Sequence, residues 1–196
     1  TGAIVTLIPT TAAVLINLGG ADIAGTLGLS ATELNNITAG TLRIGQASSG
    51  NISISTTAIG PTGVSNLTLI TGGTITQTTA LTRSVLNLKL SSACLITLNN
   101  AANNVASLAV AITNSTAALS YTDVDALNIS TVDGTSGITT NNGNATINSG
   151  ALTLSQSIAL GTGAGITLAL NTTGAITQPG GTITANILTV SNTAAD

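Results

Sequence analysis

Residues 152–170 read LTLSQSIALGTGAGITLAL. In Leu152-Thr153-Leu154 and again in Ile166-Thr167-Leu168-Ala169-Leu170, aliphatic residues alternate with small or polar ones. A period of two places the aliphatics on one face of a β-strand and the Thr on the other. Between these runs lies Gly161-Thr162-Gly163-Ala164-Gly165, a turn-forming break without a helical stripe. The next run, Leu188-Thr189-Val190, follows after a further step of similar length. Steps of roughly 16 to 20 residues suit one coil of a β-solenoid, in which each coil stacks on the last.

The same alternation recurs outward from this stretch, in Leu42-Arg43-Ile44, Ile52-Ser53-Ile54, Leu67-Thr68-Leu69 and Leu86-Asn87-Leu88-Lys89-Leu90. Gly- and Asn-rich breaks separate the runs, as at Thr71-Gly72-Gly73 and Asn141-Asn142-Gly143-Asn144. The expected fold is therefore all-β, a single parallel β-helix or β-solenoid array over residues 1–196. About ten coils are expected, giving a rod of about 45 to 50 Å at about 4.8 Å per coil. β-Branched residues and scattered Gly speak against helices anywhere in the chain. Above the coil repeat lies a longer one: LTLITGGTITQ at 67–77 and LALNTTGAITQ at 168–178, offset by 101 residues.

Composition supports this architecture and narrows the function. Of 196 residues, 43% are hydrophobic, 5% charged and 1% aromatic, and His, Met, Phe and Trp are absent. Average domains are about 25% charged, whereas a stacked coil brings like charges within about 4.8 Å of one another. Mean hydropathy is +0.54, too high for a disordered chain. The most apolar N-terminal stretch, Ala3 to Leu18, is interrupted by Pro9 and by Thr and falls short of the roughly 20 apolar residues of a spanning helix. It is read as a β element without membrane insertion. The chain opens with Thr, and its N-terminus is read as a processing site or an excerpt of a longer protein.

The segment Leu27 to Gly45, LGLSATELNNITAGTLRIG, runs on into Gly50-Asn51-Ile52-Ser53-Ile54. Together with Ile75-Thr76-Gln77, Asn103 to Ala109, Asp123-Val124-Asp125 through Val132-Asp133-Gly134, and Gly174 to Gln178, it resembles the repeat region of filamentous haemagglutinin-like exoproteins, the secreted partners of two-partner secretion systems. That resemblance implies a right-handed parallel β-helix exported from a bacterium, on the cell surface or released, serving adhesion or a biofilm matrix. The family's amino-terminal secretion module, with its Asn-Pro motif, has no counterpart in these residues. The likeness is to the shaft.

No chemistry-bearing constellation emerges. Serine and threonine nucleophiles need an activating base; histidine is absent and Lys89 is the sole lysine. Asp123, Asp125 and Asp133 form the one acidic grouping, with Asp123 and Asp125 expected on one strand face. They fall short of the six or more oxygens a calcium site uses and are read as solvated strand ends or turn caps. Glu33 and Arg43 are expected to pair on adjacent coils. Cys94, in Ala93-Cys94-Leu95-Ile96, is read as a small buried side chain. The Gly-rich segments lack a following helix and a Lys-Ser/Thr ending, so they are turns and not phosphate loops.

A net charge of −3 with three basic residues argues against nucleic-acid binding. Asn-x-Ser/Thr triplets at Asn36, Asn51, Asn66, Asn114, Asn128, Asn144 and Asn171 follow from the composition. The expected function is an extracellular structural or adhesive shaft with no catalytic, cofactor-binding or metal residues and no cofactor. End-to-end self-association into filaments and contact with a cell surface or glycan are the expected partnerships. The alternative is a solenoid that recognises ice or carbohydrate through Thr/Asn ladders, motivated by Thr74 to Thr79 and Gly137-Ile138-Thr139-Thr140.

Overall fold

The computed structural model describes residues 2–193. Thr1, the first residue, and Asp196, one of the six acidic residues behind the net charge, lie outside the described residues. The chain winds as a β-solenoid of about seven turns, with parallel strands stacked along the coil axis. One sheet stacks Ile4–Leu7, Ala39–Gln46, Val64–Thr71, Asn87–Ser92, Ser107–Ser115, Leu127–Ile129, Leu152–Leu154 and Ile176–Thr177. The second stacks Thr26–Leu29, Leu15–Leu18, Ile52–Ile54, Ile75–Gln77, Ile96–Leu98, Leu119–Thr122, Ala145–Ser149, Thr167–Thr172 and Ile187–Asn192. A short third side is tied in the early coils by bridges between Ile59 and Leu81 and between Thr82 and Asn104, and in the later coils by a branch of the first sheet in which Ile138–Asn141, Ile158–Ala159 and Ile183–Thr184 stack on the second half of Ser107–Ser115.

Register explains why the composition is so aliphatic. Leu42, Leu67, Leu88, Leu108, Ile129 and Leu154 are paired in one file up the first sheet. Ile16, Ile52, Ile75, Ile96, Leu119, Ala145 and Leu168 form the matching file up the second. All thirteen are buried. Such an interior is narrow, and only one ring enters it, Tyr121, fully buried.

The coil count differs from the ten expected. Steps along the first-sheet file are 25, 21, 20, 21 and 25 residues. The 16-residue estimate came from Leu152 and Leu168, which lie on different sheets and so mark part of a turn. Seven rungs give a rod of about 34 Å. The segments at 67–77 and 168–178 likewise start on different sheets, each forming strand, corner and strand.

A helix is also present where none was expected, Ala31–Asn35. Ser30 and Glu33 form a reciprocal capping box: Ser30 Oγ accepts from the Glu33 N–H, and the Glu33 carboxylate accepts from the Ser30 N–H and hydroxyl. Leu34 buries the inner side of this single turn. Ala3 to Leu18 forms two strands, Ile4–Leu7 and Leu15–Leu18, and no helix among the described residues is long and apolar enough to cross a membrane.

One excursion leaves the coil. Thr131–Val132 and Thr135–Ser136 pair as an antiparallel hairpin around a two-residue turn. Asp133 and Gly134 both have positive φ, +46° and +78°, as the favoured tight hairpin turns require. The excursion closes at Gly137, φ +69°, where a Cβ would stand 2.0 Å from the Ser157 carbonyl oxygen; this close approach excludes any side chain.

Candidate functional site

The hairpin at 131–136 lies against the outer face of the first sheet as a strap. Asp133 at its tip accepts from Arg43, Nε to Oδ2 at 2.8 Å and Nη2 to Oδ1 at 2.6 Å, and from Thr68 Oγ1 at 2.8 Å. Lys89 Nζ donates to the Asp133 carbonyl at 3.0 Å. Beneath the strap Thr68 and Ala109 are fully buried although they point away from the core. Arg43 holds the Asp133 carboxyl below the usual carboxylate range, while Asp133 raises the Arg43 guanidinium. Arg83 donates to the carbonyls of Pro61 and Val64 in the preceding coil. All three basic side chains are thus spent tying coils together.

This arrangement corrects several expectations. Arg43 pairs with Asp133, and Glu33 is committed to its helix cap, because strap and cap each offer a closer partner. Asp133 is separated from Asp123 and Asp125, and no group of three His, Cys, Asp or Glu able to hold a metal occurs among the described residues. Cys94 is half-buried, with Sγ 3.6 Å from the Gly72 carbonyl oxygen and from Asn114 Nδ2, because it sits at a coil corner.

Asp123 is not a solvated strand end. It lies just after Leu119–Thr122, turned into the corner and 4% exposed, while Asp125 is exposed. Its carboxylate accepts from the Val105 N–H at 3.1 Å, the Tyr121 hydroxyl at 3.0 Å and the Asp125 N–H at 3.3 Å. Burial outweighs these bonds and raises its pKa to about 6. Burial, then the Asp123 charge, raises Tyr121 well above the usual phenol value. Sequence reasoning gave no role to Asn103, the fully buried neighbour of this corner. Its amide donates to Gln77 Oε1 and to the carbonyls of Leu98 and Thr122, and its Oδ1 accepts from Gln77 Nε2 and the Leu81 N–H. Ser149 and Thr172, register partners further along, bury hydroxyls without a partner.

The outer face of the second sheet is open. Asn17, Ser53, Thr76, Thr97, Ser120, Thr146, Ala169 and Thr189 stand in one outward file, paired rung by rung. Two residues along each strand runs a second file, with Thr122, Asn148, Asn171 and Ser191 in register and Ser55, Thr78 and Asn99 at the equivalent place. From Ser53 to Ser191 every position of the two files is Ser, Thr or Asn except Ala169. Amides in the second file bond along the axis, Asn171 Nδ2 to Asn148 Oδ1 at 2.9 Å and Asn148 Nδ2 to Thr122 Oγ1 at 3.0 Å. The hydroxyls of Thr76, Thr97, Ser120 and Thr146 have no partner among the described residues.

Two shallow grooves touch this face. One of about 350 Å³ is lined by Thr122, Asp123, Asn148, Asn171 and Ser191, with exposed Val124 as a wall. The other, about 310 Å³, has Asn17, Ser53 and Thr76 on its floor and exposed Leu15 and Ile23 beside it. Of the Thr-rich patches singled out in the sequence, Thr74 to Thr79 contributes Thr76 and Thr78 to the files. Gly137 to Thr140 belongs to the first sheet, and Thr140 is buried there. No family model, curated protein or solved structure matches the chain.

Proposed function

We propose that this β-solenoid is a shaft segment of an extracellular bacterial adhesin or matrix filament, of the kind the filamentous haemagglutinin-like exoproteins carry, and that it works mechanically and not by catalysis. The observation carrying the reading is the unbroken axial ladder: each inner strand is paired on both edges, and aliphatic files run through every coil. Pull along such a rod is shared among parallel backbone bonds and a continuous core. The strap and the three basic ties add cross-links between coils.

The proposal extends to end-to-end association. On Ile187–Asn192, Leu188 and Val190 stand in register with Leu168 and Leu170, so the interior files run on to the last described strand. A strand of a second copy laid on this edge covers them and continues the coil, a heterologous contact that does not close. Electron microscopy of the purified chain tests this. Fibres of uniform width that lengthen with concentration are expected, and Leu188→Lys with Val190→Lys disperses them. Separate rods of constant length at high concentration overturn the polymerisation.

The open face favours a second reading, recognition of an extended surface through hydroxyl and amide ladders.

A further inference from the structure

We propose that the outer face of the second sheet binds an extended, uncharged β-linked polysaccharide laid along the coil axis. This deepens the adhesive part of the shaft reading and rests on it. Four features of the face support this ligand class.

The first is charge: the two files contain no ionisable side chain, so an anionic glycan finds no cation there. Arg43, Arg83 and Lys89 are all engaged elsewhere. The second is hydrogen-bond character. Hydroxyls and primary amides both donate and accept, which is what sugar hydroxyls require of a partner. The unpartnered hydroxyls of Thr76, Thr97, Ser120 and Thr146 offer both capacities on four rungs. The third is period. Rungs repeat about every 4.8 Å, close to the advance of one pyranose ring in an extended β-linked chain. Consecutive rings of such a chain are turned over relative to one another, so alternate sugars can meet alternate rungs in the same way. Each contact is weak, and tethering the repeats to one another multiplies them.

The fourth feature separates a sugar from ice. Both grooves have a polar floor beside an exposed aliphatic wall, Leu15 and Ile23 at one end and Val124 at the other. A sugar ring is amphipathic in the same sense, with hydroxyls at its edge and C–H groups on its face. Asn148 and Asn171 bond to one another along the axis, which suits a discrete polar ligand better than a uniform lattice of water. The opposite face carries the same alternation, but the strap buries its centre at Thr68 and Ala109.

The test uses the full chain, sedimented with microcrystalline cellulose and with chitin, and measures depletion from solution. Binding to at least one is expected. The triple variant Thr76→Val, Thr97→Val, Thr146→Val removes three hydroxyls while keeping shape and β-propensity, and it should weaken binding about tenfold or more. Thr139→Val, exposed on the first sheet, should leave binding unchanged. Because three changes risk the fold, Thr97→Lys alone is a second probe that places a bulky charge in mid-face, and circular dichroism confirms that each variant is folded. No depletion by either polymer overturns the proposal, as does equal binding by the triple variant and Thr97→Lys. Thermal hysteresis without glycan binding reassigns the face to ice, and binding only to an acidic polysaccharide at low salt also overturns it. Electron microscopy of the same sample separates the readings: rods or fibres that bind no glycan sink this inference and leave the shaft standing, whereas globular particles sink both.

Discussion

The two outer faces of this coil start from the same alternation and end differently. On the first sheet, outward Arg43, Thr68, Lys89 and Ala109 are brought under a strap whose tip carboxylate gathers a guanidinium, a hydroxyl and, through its backbone, an ammonium. On the second, outward Ser53, Thr76, Thr97, Ser120 and Thr146 carry no charge, and no strap of described residues crosses them. The three basic side chains tie coils together, and neither file of the open face contains a charged residue. Surface ion pairs are ordinarily worth about 0 to 1 kcal/mol. Here the Asp133 side chain is 7% exposed, and its bidentate geometry is of the stronger kind.

The comparison requires that both faces rest on one core, and this predicts the largest effects. Leu88→Ala beneath the covered face and Ile96→Ala beneath the open one remove fully buried side chains from equivalent files. Each should cost about 2 to 5 kcal/mol, and urea denaturation should show one cooperative transition in both. A second transition in Ile96→Ala alone would mean that the two sheets melt separately.

Next in size is the response to pH, which has opposite signs in two places. Asp123 has its folded pKa raised to about 6 from 3.8. Its contribution is present below the unfolded value and is lost as pH rises through the folded one. Asp133 has its folded pKa lowered by Arg43. Its contribution is present above the unfolded value and is lost as pH falls through the folded one. Melting temperature should therefore decline between about pH 4 and pH 6 in the parent and stay flat there in Asp123→Asn. In Asp133→Asn the decline should remain, while the loss at lower pH should shrink.

How far these differences were readable in the sequence depends on the range of the interaction. Period-two alternation is local, so the all-β solenoid and its aliphatic interior follow from runs such as Leu152-Thr153-Leu154. Coil length is not local. Counting from Leu152 to Leu168 joins two sides of one turn, and only register tells them apart. The Ser30–Glu33 capping box and the Asp133-Gly134 hairpin turn were written in short motifs, hidden within a background of β-forming residues. The Arg43–Asp133 pair spans 90 residues, so nothing local announces it. Asp123 is buried because it follows Tyr121 by two, the inward period carried one step past the strand. The open face is visible as Ser/Thr-x-Ser/Thr/Asn in nearly every second-sheet strand, but only once those strands are known to stack.

A smaller effect separates the faces directly. Asp133→Ala leaves Arg43 and Thr68 without their acceptor under the strap. Hydrogen bonds to charged groups contribute about 1.5 to 3 kcal/mol, so a loss of about 2 kcal/mol is expected, with faster hydrogen exchange at 131–136. Unchanged stability would show that the strap is an ornament on a self-sufficient coil.

The smallest expected effect is the most discriminating. Thr97 stands mid-file on the open face, half-buried by its neighbours, with a hydroxyl bonded to no described residue. Replacing it by Val exchanges that hydroxyl for a methyl on a residue of equal or better strand propensity. Stability should change by less than about 0.5 kcal/mol, as for surface positions away from any network. Thr68→Val, one sheet away, makes the same chemical change under the strap and removes a donor to Asp133, so it should cost about 1.5 kcal/mol. Equal costs for the two would mean that the open hydroxyls already hold the coil together, leaving them no spare bonding capacity for a ligand.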